Sequence, residues 1–355
     1  MQSTPAAAAL RPPVAASTMR PVAAWLFLSA AMVFAAAVIG AITRLTESGL
    51  SIVEWAPITG TLPPLSDQAW ADAFAAYKAT PQYRYMNAGM SLEAFQHIFF
   101  WEWLHRFWDR LTGLVFAVGL AWFAWRRALG WPLGLRLLAL LVLGGAQGVL
   151  GWVMVASGLN ERPSVSHYLL AAHLGLAVLL YALILWAGYG LTLQRRGDFA
   201  GAPSLRRHAS IAIACVAVTM CWGAFVAGLD AGQVYNTFPL MDGRLLPPES
   251  FSIIPAWLNW FDNTALVQFT HRWLAIGTAL VVLALAFRCS RTPVVGWGHL
   301  VGLMVVVQLC LGISTLLTKV PVWLGAMHQA GALLLLALLL ALRFASRPAA
   351  ASQPR

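Results

Sequence analysis

The chain has 355 residues, of which 60% are hydrophobic and only 10% are charged. Its mean hydropathy is +0.71, and a soluble protein of this length could not place so much apolar surface in a core. The net charge is +10, but the basic residues are spread over several loops rather than gathered on one nucleic-acid-binding segment. Composition therefore excludes the soluble classes and predicts an integral membrane protein.

Eight apolar stretches are long enough to cross about 30 Å of hydrocarbon at about 1.5 Å per residue. The predicted spans are residues 21–42, 98–125, 134–156, 167–191, 209–229, 264–288, 298–318 and 322–344. The predicted fold class is all-α, with eight transmembrane helices. Residues 1–20 are expected to form a disordered tail before a retained first span, and residues 345–355 a second tail.

Basic residues occur in both tails and in the loops after the second, fourth and sixth spans. They are Arg11, Arg20, Arg126, Arg127, Arg136, Arg195, Arg196, Arg206, Arg207, Arg288, Arg291, Arg343, Arg347 and Arg355. With eight spans these segments share one side, which is the positive-inside bias of cytoplasmic loops. Of the 13 acids, all but Asp198 fall on the opposite side or at its boundary. Both termini are therefore predicted to be cytoplasmic, and the charge requires no nucleic-acid partner.

Two long loops lie on the side opposite the basic residues, at 43–97 and 230–263. In the first, residues 66–77 carry apolar and aromatic side chains at helical spacing. This pattern predicts an amphipathic helix on the membrane surface or over the mouth of the bundle. The four cysteines lie in spans or at the inner boundary, so nothing predicts an external disulfide.

The two halves of the chain look duplicated. The matching features are His105-Arg106 with His271-Arg272, Gln147 with Gln308, and His173 with His328. They recur in the same order at nearly constant offset, which predicts two four-helix halves, residues 21–191 and 209–344, joined by a cytoplasmic linker at 192–208. Because each half has four spans, the copies would have the same orientation and a pseudo-twofold axis along the membrane normal.

Four histidines lie at one depth in the predicted bundle. They are His105, His173, His271 and His328. Each lies about six to eight residues past the outer start of its span, roughly 10 Å below the boundary. A histidine inside a bundle can be a hydrogen-bonded packing residue, but four at one depth on helices of one direction favour a common role as ligands. The other histidines, which lie at span ends and are assigned no ligand role, are His97, His167, His208 and His299.

The chemistry of the four histidines favours haem. They have no matching set of Asp and Glu, as a di-metal carboxylate site would need, and zinc would require a more compact cluster. Two pairs of imidazoles on facing helices suit two haems, each with its iron held from both sides. The repeat predicts that His105 pairs with His173, and His271 with His328.

The two halves differ at one position. Glu102 precedes His105 by three residues and lies on the same helical face, whereas Gln268 occupies the matching place before His271. A carboxylate beside one haem and a neutral amide beside the other predict that the first site reacts and the second transfers electrons. The alternative role for Glu102 is an ion pair with Arg106, and both roles can hold.

Arg106 and Arg272 lie near the outer boundary, directly after the first histidine of each half. They are candidates for charge-assisted hydrogen bonds to haem propionates. The alternative is that they only extend their guanidinium groups to the membrane interface.

Three longer motifs carry a resemblance to a known family. They are Thr-Arg-Leu-Thr-Glu-Ser-Gly-Leu-Ser at 43–51, Glu-Trp-Leu-His-Arg at 102–106, and Asn-Thr-Phe-Pro-Leu-Met-Asp-Gly at 236–243. With these and the two later histidines, the chain from about residue 20 to 345 resembles the heme A synthases, membrane enzymes that oxidise a methyl group of haem O to the formyl group of haem A. Some members have a cysteine pair in the first outer loop. This chain has none there, so it resembles the alphaproteobacterial and mitochondrial branch, and a thiol mechanism is not expected.

The resemblance implies that the N-terminal half binds the substrate haem and that the C-terminal half holds a haem b cofactor. His105 and His173 would face haem O or haem A, and His271 and His328 would bind the iron of haem b. Glu102 would be the catalytic carboxylate. The implied reaction is successive hydroxylation of the C8 methyl group to a geminal diol, which loses water to give the aldehyde needed by cytochrome oxidase.

The resemblance also implies a place in the cell inner membrane. Besides haem O and membrane lipid, the partners that fit it are a haem O synthase, an electron-transfer protein and a second copy of the chain. Arg44 and Glu47, at the outer mouth, are expected to gate the site or bind propionates. The alternative is a local ion pair that caps the first helix.

Two other functions explain four intramembrane histidines. One is a diheme carrier that passes electrons from a quinol to a partner, and the other is a haem transporter or chaperone. Neither explains the difference between Glu102 and Gln268. The chemical identity of the bound haem distinguishes all three.

Overall fold

The structure is a computed structural model that describes residues 16–56, 59–159, 163–193 and 202–347. The helices of the described chain are α1 (Ala16–Leu45), α2 (Asp67–Lys78), α3 (Pro81–Tyr85), α4 (Leu92–Trp125), α5 (Trp131–Leu159), α6 (His167–Thr192), α7 (Ala202–Gly228), α8 (Asn259–Asp262), α9 (Thr264–Cys289), α10 (Val295–Leu317) and α11 (Val322–Ala345). All except α2, α3 and α8 are long and apolar enough to cross a membrane. The protein is an all-α, multi-pass membrane protein, which confirms the prediction of eight spans.

The helices extend beyond the apolar runs. α1 begins at Ala16, so residues 16–20, expected in a disordered tail, are helical. α4 begins at Leu92, well before the predicted start at residue 98, and the Ser91 hydroxyl caps it by accepting a bond from the Ala94 N–H at 3.2 Å. The reason is that a helix ends where its backbone groups lose their partners, whereas an apolar run ends where side chains meet water.

Part of the predicted inner side lies outside the described residues. This applies to residues 1–15, to residues 194–201 of the predicted linker at 192–208 and to the tail after residue 347. The charged residues concerned are Arg11, Arg195, Arg196, Asp198 and Arg355. α7 begins at Ala202, so Arg206 and Arg207, expected in the linker, are helical.

The eight long helices form two rings of four. In the first ring, α1 packs against α4 and α6, and α5 packs against the same two helices from the other side. In the second ring, α7 packs against α9 and α11, and α10 closes the ring between them. The rings meet where α1 contacts α11 and where α6 contacts α7 and α11. As a consequence, α4 and α6 stand at opposite corners of the first ring, and α9 and α11 at opposite corners of the second.

The main hydrophobic core fills one end of the bundle. This terminal end is where α1 begins and α11 ends, and its core includes Leu26, Leu137, Leu285 and Leu339, each fully buried. Along α4, α6, α9 and α11 the core residues follow the histidine in the sequence. The histidines therefore lie above the packed core, toward the loop end of the bundle, where the long loops lie.

The first long loop folds onto the loop end of α4. The predicted amphipathic helix is present as α2, and it buries Phe74 and Tyr77. Their rings stack on Phe95 of α4, with centroids 4.9 and 5.2 Å apart. Burial raises the pKa of the Tyr77 phenol, and its hydroxyl donates a hydrogen bond to Gln82 Oε1 at 3.1 Å. The loop is thus a packed cap with its own aromatic core.

Candidate functional site

His271 and His328 face each other across the second ring. Their ring centroids are 6.5 Å apart and their planes are perpendicular. Two imidazoles that bind one metal ion from opposite sides have centroids roughly 6 Å apart, because each metal–nitrogen bond is about 2 Å long. The spacing of this pair therefore fits two axial ligands of one iron.

The second nitrogen of each of these rings has a neighbour. His271 Nδ1 lies 3.1 Å from the carbonyl oxygen of Thr219, and donation to that carbonyl leaves Nε2 free as a ligand. Gln308 Nε2 donates to the carbonyl oxygen of His328 at 2.9 Å and lies 3.1 Å from the Nδ1 atom of its ring. These contacts orient both rings.

His105 and His173 occupy the opposite corners of the first ring of helices, on α4 and α6. Gln147 Nε2 donates to the carbonyl oxygen of His173 at 3.0 Å, as Gln308 does for His328. His173 Nδ1 is buried without a hydrogen-bond partner in the described chain, so it has capacity for a ligand or a water. His105 Nε2 lies 3.5 Å from an oxygen of Asp109. Within the described residues, these two histidines make no ring contact like that of His271 with His328.

Each of the four imidazoles lies against a glycine on a neighbouring helix. The pairs are His105 with Gly40, His173 with Gly151, His271 with Gly223, and His328 with Gly312. A Cβ atom at these glycines would lie 3.0, 2.9, 3.1 and 2.8 Å from imidazole Cε1, in that order. A side chain there would push the ring away, so the glycines set where the four rings lie. Sequence reasoning missed them, although the spacing Gln-x-x-x-Gly recurs at 147–151 and 308–312.

Glu102 is buried, and both of its carboxylate oxygens accept hydrogen bonds. Its side chain is 3% exposed. One oxygen, Oε2, accepts from the Ser51 hydroxyl at 2.7 Å and from the Ile52 N–H at 2.8 Å. The other, Oε1, accepts from Arg106 Nη2 at 2.6 Å. The alternative ion pair with Arg106 is therefore present, and the carboxylate also anchors the end of the 43–51 motif. A role as acid or base stays a prediction.

The two arginines after the first histidines hold the long loops. Arg106 donates to the carbonyl oxygens of Ile52 and Glu54 at 2.9 and 3.2 Å. Arg272 donates to those of Tyr235 and Thr237 at 2.7 and 2.6 Å. Both guanidinium groups are thus bonded to loop backbone, and their contacts with propionates stay a prediction.

Arg44 bridges the two rings instead of forming the local ion pair with Glu47. Its Nη2 lies 2.9 Å from both carboxylate oxygens of Asp230 and from the carbonyl oxygen of Ala227. Asp230 follows the end of α7, so the contact joins the end of α1 to the second half. Its role toward propionates also stays a prediction.

His167, assigned no ligand role, also bridges the two rings. Its Nε2 lies 2.7 Å from Asp262, which also accepts from the Tyr168 hydroxyl at 2.8 Å. In the described residues, no three His, Cys, Asp or Glu side chains cluster in a way that could hold a metal ion.

The match to known proteins covers almost the whole chain. Residues 23–340 match the COX15-CtaA family model, described as cytochrome oxidase assembly protein. The chain is 50% identical over 345 residues to the heme A synthase of Rhodospirillum centenum, and this alignment covers 96% of this chain and 92% of that protein. It is 47% identical over 325 residues to that of Nitrosospira multiformis, with 90% and 91% covered, and 46% identical over 339 residues to that of a Bradyrhizobium species, with 92% of each covered. These matches confirm the predicted resemblance, and the chain belongs to the COX15-CtaA family of cytochrome oxidase assembly proteins.

Proposed function

We propose that this chain is a heme A synthase, which oxidises the C8 methyl group of haem O to a formyl group by successive hydroxylations. The product, haem A, serves cytochrome oxidase. The proposal rests mainly on one observation besides the family: four histidines lie above the packed core in two rings of helices, and a buried carboxylate lies one helical turn from only the first of them.

The two rings are related by a pseudo-twofold axis along the membrane normal. The order of neighbours supports this, because α1, α4, α5 and α6 contact one another in the same cyclic order as α7, α9, α10 and α11. Both chain ends face the cytoplasm and the protein lies in the cell inner membrane. The arginines at the terminal end support this orientation.

The second ring holds haem b between His271 and His328. Their 6.5 Å centroid spacing supports this assignment. When bound, haem b supplies one-electron transfer. The residues here orient the two ligand rings: Thr219 through its carbonyl oxygen, and Gln308 through its amide.

The first ring binds the substrate. His105 and His173 face haem O, and the unpartnered Nδ1 of His173 supports a ligand-bound state for that ring. Glu102 is the acid or base for the proton transfers that accompany oxidation of the methyl group. Its Oε1 can receive a proton, because this oxygen accepts a single hydrogen bond, from Arg106, whereas Oε2 already accepts two. The loop cap over α4 keeps water from the carboxylate.

The partners follow from the substrate. Haem O is apolar and reaches the site through the membrane, so we include a haem O synthase and an electron-transfer protein among the partners, together with a second copy of this chain. These partners rest on the family and on the solubility of haem O.

The competing function is a diheme electron carrier. It is favoured by the hydrogen bonds of Glu102, which give the carboxylate a structural role without chemistry. The test is to purify the full chain after co-production of haem O, extract its haems, and separate them by chromatography with mass detection. Haem B together with haem O, a hydroxylated intermediate or haem A supports the enzyme. Haem B alone would contradict the enzyme and favour the carrier instead.

A further inference from the structure

An arginine cluster lies at the terminal end of the bundle, where α6, α7 and α11 meet. Arg343 Nε donates to the Ser210 hydroxyl at 2.8 Å, which links α11 to α7. The guanidinium carbons of Arg343 and Arg347 lie 4.7 and 5.0 Å from the ring centroid of Trp186 on α6. The cluster therefore spans the contact between the two rings of helices, far from the four histidines.

Two arginines of the cluster, Arg206 and Arg343, are partly exposed but each has one buried N–H donor without an acceptor in the described chain. Arg343 Nη1 and Arg206 Nε are both buried and have no hydrogen-bond partner within the described residues. No Asp or Glu occurs in α6, α7 or α11, and the charge of Arg206 repels that of Arg343. Buried charged donors without an acceptor are costly. The arrangement therefore calls for an anion with several acceptor oxygens.

We propose that Arg206, Arg343 and Arg347 bind the phosphate group of an anionic membrane lipid. Arg206 is in the second turn of α7 and Arg343 in the last turn of α11, which is the level of lipid headgroups. Guanidinium groups match phosphate oxygens with paired, charge-assisted hydrogen bonds. Basic pockets between transmembrane helices bind anionic headgroups in this way.

Apolar surface beside the cluster distinguishes a lipid from free phosphate. Leu183, one helical turn from Trp186 toward the membrane centre, is 38% exposed and offers contact to an acyl chain. Free phosphate satisfies the same donors but makes no such contact. A lipid bound here touches α6 of one ring and α7 and α11 of the other, so it stabilises the contact between them.

The test measures lipid binding to the full chain purified in a non-ionic detergent and stripped of lipid. Native mass spectrometry and thermal unfolding are followed with phosphatidylglycerol, phosphatidylcholine or inorganic phosphate. We expect the wild type to bind phosphatidylglycerol in preference to phosphatidylcholine and to unfold at a higher temperature with it. Each arginine removed, in Arg206→Gln and Arg343→Gln, weakens binding about fivefold, since one basic residue near anionic lipid contributes about 1 kcal/mol.

Arg127→Gln is the matched control, because it removes one exposed charge from the turn between α4 and α5 at the same end. Equal weakening in this control, or no preference between the two lipids in the wild type, would overturn the proposal.

An equal stabilisation by inorganic phosphate would assign the cluster to free phosphate. If the two variants fail to fold, Arg347→Gln and the lipid preference of the wild type still decide. Asp198→Asn tests whether Asp198, which lies between α6 and α7 in the sequence, is the counter-ion of the cluster. A loss of stability of the lipid-free protein in this variant, with no lipid preference in the wild type, would assign that role to Asp198 and overturn the proposal.

Discussion

Each ring binds its long loop through the residue three positions before its first histidine, but that residue accepts hydrogen bonds in the first ring and donates one in the second. In the first ring, Glu102 accepts hydrogen bonds from the Ser51 hydroxyl and the Ile52 N–H. In the second, Gln268 Nε2 donates to the Tyr235 carbonyl oxygen at 3.1 Å. The arginine four residues later binds loop carbonyls in both. The difference between Glu and Gln, which suggested one reactive site and one electron-transfer site, therefore also has a structural cause.

Glu102 combines a candidate chemical role with a structural one, and a single substitution does not separate them. Loss of the Glu102 carboxylate removes a candidate proton acceptor and also an anchor of the loop. A variant at the matching position of the second ring serves as a control for the loop, because Gln268 also binds the long loop of its ring and precedes a histidine by three residues.

The largest effect is expected from Glu102→Gln. The amide keeps one acceptor oxygen for the loop but cannot hold a proton or pair with the charge of Arg106. We expect haem b to be retained and oxidation of haem O to fall about 100-fold or more, the usual size of an acid–base contribution. The measurement is the ratio of haem A to haem O in extracts, with the b-type absorption as the control for folding. Undiminished conversion would remove Glu102 from the mechanism.

Alanine in place of the glycines that contact the histidines is expected to weaken haem binding. In Gly312→Ala, the new Cβ would lie 2.8 Å from the His328 ring, and we expect a weakened or shifted b-type spectrum. In Gly151→Ala, the ring displaced is that of His173, and we expect the loss in bound substrate haem. Overpacking of this kind costs about 1–3 kcal/mol, so the affinity for each haem should fall about tenfold.

Each of these variants has a control on its own helix. A Cβ at Gly296 on α10, or at Gly148 on α5, would meet no atom within 4 Å. Gly296→Ala and Gly148→Ala should leave both haems in place. Equal losses in the controls would mean that alanine disturbs these helices in general, and that the glycines do not position the imidazoles.

Gln268→Glu tests the opposite polarity directly. The carboxylate would face the Tyr235 carbonyl oxygen, and both groups are acceptors, so the bond is lost. Arg272 still donates to that carbonyl oxygen, so we expect a destabilisation of about 1 kcal/mol, the net contribution of one hydrogen bond. Thermal unfolding in detergent measures it. If the variant is as stable as the wild type, the loop of the second ring is not held through this residue.

The smallest effect is expected at the ion pair between Arg44 and Asp230. The two side chains are 19% and 56% exposed, and exposed pairs contribute about 0–1 kcal/mol. Arg44→Gln, Asp230→Asn and the double variant form a cycle whose coupling energy should stay in this range. A larger coupling, or loss of substrate haem in Arg44→Gln alone, would favour a role of Arg44 at the haem site.

The long apolar runs and the four histidines were readable from the sequence because both depend on local composition and on helix geometry. The glycine partners were not, since Gly40 and His105 are far apart in the chain and meet only when α1 packs beside α4. The loop contacts of Arg106 and Arg272 were missed for a similar reason. A guanidinium near a membrane boundary predicts an anionic partner, and the carbonyl groups that it binds are presented by loop backbone whose path has no hydropathy signal.

We assign the two haems to different rings, haem b to the second and the substrate haem to the first. The most direct test is to replace the histidines one at a time with alanine and to record the absorption spectrum and the extracted haems of each purified variant. We predict that His271→Ala and His328→Ala lose the b-type spectrum and still bind haem O, whereas His105→Ala and His173→Ala keep the b-type spectrum and lose haem O or haem A. Loss of the b-type spectrum only in the variants of His105 or His173 would contradict the assignment and reverse the roles of the two rings.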